Sequence, residues 1–119
     1  MRAQRIAYKK HNQAYDEAQK IYLQNRDNQS YQKMFSVAYE YFQNALVCYA
    51  QRHGIIYWTD NFIDTLAEDC TTWILEMYLR RPGFYVQKLS SYGHFSLLKN
   101  IAKNKDWEKK VELRGEFQI

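Results

Sequence analysis

Apolar positions recur along this chain at spacings of three, four and seven, the period of an α-helix with one buried face. From about Ala3 to Gln24, Ile6, Ala7, Ala14, Ala18, Ile21 and Tyr22 keep that period, with basic residues between them. Asn25 to Ser30 breaks the pattern and offers polar caps, with Ser30 favoured as the cap of the next helix. This second helix runs from about Tyr31 to Arg52. Its stripe of Met34, Phe35, Ala38, Tyr41, Phe42, Ala45, Leu46, Tyr49 and Ala50 is broad enough to predict a central helix packed by several others. Gly54 is its stop, and Ile55 to Trp58 reads as a short apolar connector. A third helix, Asn61 to Arg80, carries Ile63, Leu66, Ala67, Cys70, Trp73, Ile74, Met77 and Tyr78 on one face. Thr59 or Asp60 caps it, and Arg81-Pro82-Gly83 ends it. Ser90 or Ser91 is expected to cap a fourth helix from Tyr92 to about Trp107, followed by a fraying end or tail. The pattern predicts an all-α bundle of about four helices.

Composition narrows the class. At 119 residues, with 46% hydrophobic and 25% charged side chains, the chain suits one globular domain. One proline and four glycines are too few for the many turns of an all-β fold. Cys48 and Cys70 supply neither a disulfide scaffold nor a zinc site. No apolar run of membrane-spanning length and no signal peptide is visible, so a cytoplasmic protein without a membrane partner is expected.

Charge adds more. The formal net charge is +4, yet residues 54–79 hold Asp60, Asp64, Glu68, Asp69 and Glu76 with no Lys or Arg. Residues 80–119 then carry nine basic and four acidic groups. An acidic segment followed by a basic one suggests two faces with different partners. No catalytic constellation is evident. His11, His53 and His94 lack metal-ligand spacing to either cysteine, and there is no phosphate loop or nucleophile elbow. A binding protein is expected, with no enzyme activity, metal or cofactor.

Several segments in order resemble region 2 of the sigma factors of bacterial RNA polymerase. Asp64-Thr65-Leu66-Ala67-Glu68-Asp69 is similar to that family's acidic helix. Arg81-Pro82-Gly83-Phe84 comes next as the turn, then Lys88-Leu89-Ser90-Ser91-Tyr92 and Phe95 as the aromatic segment, and Ile101-Ala102-Lys103-Asn104 as the ending of small members. Upstream, Cys48-Tyr49-Ala50-Gln51-Arg52-His53-Gly54 resembles the end of the preceding helix. The likeness spans residues 29–110, which sets residues 1–28 apart as an N-terminal helix and linker and 111–119 as a tail. In two places the chain departs from the family pattern: Phe95, Ser96 or Leu97 stands where a Trp is usual, and Cys70-Thr71-Thr72 is more polar than usual.

The resemblance implies a sigma-like transcription factor, minimal and divergent, of the kind a phage encodes, acting in the cytoplasm of a bacterial or phage-infected cell. Its acidic helix would dock on the clamp helices of the polymerase core's largest subunit through Asp64, Leu66, Glu68, Asp69 and Thr72. Promoter DNA would meet Lys88, Ser91, Tyr92, His94, Phe95, Lys99, Lys103 and Trp107, with cations on phosphates and rings on unpaired bases. The family's helix-turn-helix reader has no counterpart in this sequence, so a further subunit is expected to supply upstream recognition. The residue pattern alone equally allows Leu66 a core position and favours one for Phe95; it leaves Tyr92 and Trp107 open. Two rival functions remain: a helical polymerase-binding adaptor, inhibitor or phage structural protein that does not bind DNA, and a bundle that binds nucleic acid through its basic C-terminal third.

Overall fold

In a computed structural model, residues 8–113 are described, with side chains as far as Asn104. They form four helices: α1 (Tyr8–Asn25), α2 (Asn28–Arg52), α3 (Asp60–Arg80) and α4 (Leu89–Leu113). The all-α bundle follows the apolar pattern. Arg2, Arg5, Ile6 and Ala7 at the start, and residues 114–119 of the predicted tail, lie outside the described residues. So does the side chain of Trp107.

Only Arg26 and Asp27 separate α1 from α2, and Arg26 takes a left-handed φ of 54° to make the turn. Asp27, rather than Ser30, caps α2: its Oδ1 accepts the Ser30 N–H at 2.8 Å. The Ser30 hydroxyl donates to that same oxygen at 2.6 Å. Ser30 therefore sits inside the first turn, where its side chain holds the cap from within. Thr59 caps α3, its hydroxyl accepting the Phe62 N–H at 3.1 Å. Gly54 and Gly83 have φ of 67° and 79°, the left-handed region glycine enters without a Cβ clash, and they lie just past the ends of α2 and α3.

α2 is the central helix. It buries Met34, Ala38, Tyr41, Phe42, Ala45, Leu46 and Ala50 against the other three. α3 contributes Ile63, Leu66, Ala67, Cys70, Ile74, Leu75 and Tyr78, and α1 adds Tyr15, Ala18 and Tyr22 to the same core. Each fully buried Leu, Ile or Phe contributes about 1.5–3 kcal/mol. α4 enters through small and polar residues. Gly93 lies so close to α2 that a Cβ there would meet ring atoms of Phe42 and Tyr41 at 3.2 Å. Ser96 sits flush on α3, its hydroxyl donating to the Cys70 carbonyl at 2.8 Å.

Two further expectations change. α4 begins at Leu89, so neither Ser90 nor Ser91 is its cap. Asn12 of α1 fills that role from across the bundle, accepting the Ser90 N–H at 2.8 Å. Ile21, placed on the inner face of α1 by its spacing, is exposed.

Candidate functional site

Asp60, Asp64 and Glu68 are spaced by four residues, so they form one ridge of α3, with Asp69 beside it. The Gln43 amide of α2 donates to Asp64 Oδ1 at 2.9 Å, which fixes that carboxylate in a half-buried position. Glu68 and Asp69 are exposed and Thr72 is half-buried. Burial raises the Tyr39 phenol above its ordinary range, and the nearby charges of Asp64 and Glu68 add to that rise. The ion pairs among the described residues, Lys20–Asp16 and Arg80–Glu76, leave the four carboxylates from Asp60 to Asp69 without a salt-bridging cation.

Leu66 does not belong to this surface. It is 1% exposed and packs in the core, so its side chain offers nothing to a partner. The inward face of α3 runs Ile63, Leu66, Ala67, Cys70, and the helical period that places Leu66 there turns Asp64 and Glu68 outward.

On α4 one ring departs from its expected place, and a second, which the pattern left open, packs among other rings. Phe95, expected in the core, is 66% exposed. Tyr92 is half-buried in a run of rings: its centroid is 5.5 Å from Phe84 and 6.0 Å from Trp73, while Phe84 packs edge-on against Tyr78 at 4.9 Å. The inward positions of α4 are Leu89, Gly93, Ser96, Leu97, Asn100 and Ile101, and this register leaves Phe95 on the outside. Phe95, Lys99 and Lys103 then succeed one another at four-residue spacing along a single outer ridge. Lys88, Ser91 and His94 are also exposed.

Trp73 joins the two ridges. On α3 it lies one turn beyond Asp69, and the Lys99 ammonium of α4 stands over its ring at 5.8 Å. Such a contact contributes about 0.5–1 kcal/mol at an exposed site and holds the cation outward. The apolar spacing assigns Trp73 to the core; its partner ring and cation come from a helix some 20 residues on in the chain, which no local spacing reveals.

A second feature reads in the sequence only as a connector. Tyr49, His53, Tyr57, Trp58 and Phe62, with Ile101 of α4, line a cleft of about 360 Å³. Tyr49 and Trp58 are nearly parallel at 6.1 Å, and Ile56 on the adjoining connector is 95% exposed. The available signal is the apolar run Ile55 to Trp58, too short for a strand and outside any helix.

Burial pushes the Cys70 thiol up to about 12, so it stays protonated and inert at neutral pH. Among the described residues no group of three or more His, Cys, Asp or Glu side chains converges as a metal site. No described helix is long and apolar enough to cross a membrane. Compared with protein-family models, with curated proteins and with solved structures, the chain matches none.

Proposed function

We propose that this chain is a sigma-like transcription factor that binds RNA polymerase through the acidic ridge of α3 and contacts promoter DNA with the outer ridge of α4. One observation carries the reading: a ridge of carboxylates on α3, exposed at Asp60, Glu68 and Asp69 and unpaired with any cation among the described residues, lies beside an exposed ridge of one ring and two lysines on α4, on helices packed together. The docking set becomes Asp64, Glu68, Asp69 and Thr72. Carboxylates of this kind pair with arginines on a partner and steer its approach. On α4, Lys99 and Lys103 meet phosphates while Phe95 stacks on an unpaired base, worth about 1–3 kcal/mol. Lys88, Ser91 and His94 flank that ridge. The polymerase core and promoter DNA are the proposed partners, in a bacterial or phage-infected cell.

Co-purification with core polymerase followed by run-off transcription tests this. The double charge reversal D64K/E68K is expected to abolish co-purification while the protein stays folded, and retention refutes the docking surface. Phe95→Ala is expected to weaken binding to single-stranded promoter DNA more than to duplex.

One observation favours a second reading, a polymerase-binding adaptor or inhibitor without DNA contact. Tyr92, one of the rings the resemblance assigns to base capture, is half-buried and packs against Phe84 and Trp73. Co-purification with polymerase, combined with no detectable binding to any DNA, decides for that reading.

A further inference from the structure

Phe95, Leu98 and Ala102 follow one another at spacings of three and four, so they form one stripe of α4, and all three are exposed. Phe95 is 66% and Leu98 41% exposed, two large apolar side chains on a face that no described element covers. Lys99 stands beside this stripe on the side nearer α3, over the Trp73 ring. The outer face of α3 carries Thr65 and Asp69, both exposed, and the half-buried Thr72. Both helices rest on α2 and pack against each other, so these two outer faces look the same way. They run antiparallel: Ser96 bonds to the Cys70 carbonyl, Tyr92 lies against Trp73, and Asn104 shares a cleft with Phe62. Each step forward along α4 is thus matched by a step back along α3. By that register Lys99 lies within about one helical turn of the height of Asp69, and Phe95 lies level with Thr72. One face of the chain therefore joins an apolar and cationic half on α4 to an acidic half on α3.

We propose that a second copy of the chain docks on this two-helix face and forms a two-fold symmetric dimer. A two-fold axis running between α3 and α4, parallel to both, lays α4 of each protomer on α3 of the other. Rotation about such an axis leaves every residue at its own height. Lys99 of one protomer then meets the partner's Asp69, and symmetry repeats the pair. Phe95 is laid over the partner's Thr72 and loses its contact with water. An axis perpendicular to the helices instead stacks α3 on α3 and α4 on α4, which sets like charges face to face, so charge selects the first arrangement. Size fits a weak, reversible pairing. From Leu89 to Asn104 the face is about 24 Å long at 1.5 Å per residue, and two helices side by side are about 20 Å wide. That places the dimer at the low end of specific interfaces, near about 1,200 Å² in total. Lys99, Phe95, Asp69 and Thr72 also belong to the surfaces read above as DNA- and polymerase-binding. That dimerisation withholds them rests on the proposed function; the dimer itself does not.

Sedimentation equilibrium of the full chain, at about 10–200 μM, is expected to show a reversible monomer–dimer equilibrium that weakens as salt is added. Asp69→Lys and Lys99→Asp each set like charges against one another in both symmetric pairs, so each alone should weaken the dimer about ten-fold or more. An equimolar mixture of the two variants should dimerise again. Every 69–99 pair across the interface is then of opposite charge, while within each chain the two side chains remain alike. That recovery separates pairing between chains from pairing inside one. Both positions are exposed, so circular dichroism should show wild-type helix content; if either variant does not fold, Phe95→Ala carries the same reading by weakening the dimer. A wild-type chain that stays monomeric at about 200 μM overturns the proposal. So does a dimer that both variants leave intact, or a mixture no more dimeric than its components. Core polymerase added to the dimer separates the two proposals. Uptake of one chain with release of the other supports both; uptake of the intact dimer supports the dimer and refutes α3 as the docking surface.

Discussion

Gln19→Leu is the most demanding test of how the bundle is held together. Gln19 is 0% exposed and has three partners: the Val86 N–H, the Val86 carbonyl and the Tyr78 hydroxyl. Leucine keeps nearly the same volume and removes all three bonds. The Tyr78 hydroxyl retains Tyr15 at 2.8 Å, so its loss is cushioned. The two backbone groups of Val86 have no such reserve. A buried polar group left without a partner costs about 1–3 kcal/mol, so the variant is expected to lose about 3–5 kcal/mol after a small apolar gain. That is a large share of the roughly 5–15 kcal/mol that a domain has in total. Urea denaturation monitored by circular dichroism reads it directly. With a slope of about 1.5 kcal/mol per molar, the midpoint should fall by roughly 2–3 M. The exposed Gln24→Leu serves as the control and should leave the midpoint in place. A fall of less than about 0.5 M for Gln19→Leu, at unchanged slope, would refute the reasoning, because water or a local shift would then satisfy Val86 as well as Gln19 does.

Three further outcomes are expected. Gly93→Ala gains about 1 kcal/mol of helix propensity but places a Cβ 3.2 Å from the buried rings of Phe42 and Tyr41; overpacking costs about 1–3 kcal/mol, so the melting temperature should fall by about 4 °C, and a rise would show that the rings yield. Cys70 should not react with a disulfide reagent at pH 8 until the protein unfolds, so the native chain titrates at most one thiol, the partly exposed Cys48; two native equivalents would contradict its burial. Asp16 is held below its ordinary 3.8 by the Tyr85 hydroxyl first and then by Lys20. A depressed folded-state value means that its contribution is full above 3.8 and is lost as pH falls through the lower value, so Asp16→Asn should flatten the acid limb of the stability profile below pH 4, as thermal melts would show.

The four helices were legible because their stripes are wide and period-true: on α2 and α3 most stripe positions between Met34 and Ala50 and between Ile63 and Tyr78 are buried, with Phe35, Tyr49, Trp73 and Met77 half-buried at the edges. The caps were less so. Asp27 and Ser30 both qualify by type, and only the geometry of the two-residue turn selects between them. Leu66 was readable two ways, because the same helix supplies core and acidic ridge. Phe95 was misplaced and Tyr92 left open because α4 has a weak apolar period; Gly93, Ser96 and Asn100 occupy its inner face, and such residues read as surface. Gln19 was invisible for the same reason. A buried amide looks like any exposed glutamine until the backbone of Val86, 67 residues away, is brought against it.

The cap that Asn12 places on α4 also bears on the order of events when the chain folds. A local cap is available as soon as its own helix forms, but this one spans 78 residues, and the Tyr85 and Val86 contacts span 69 and 67. Each closes a loop over more than half the chain. Closure entropy of that size is met only after nearer pairings are in place, above all the α2–α3 hairpin across the short turn at residues 53–59. The start of α4 is therefore fixed on the native side of the folding barrier. Removing the Asn12 side chain should hasten unfolding and leave the refolding rate almost untouched, so this one amide governs how long the folded chain lasts rather than how fast it forms.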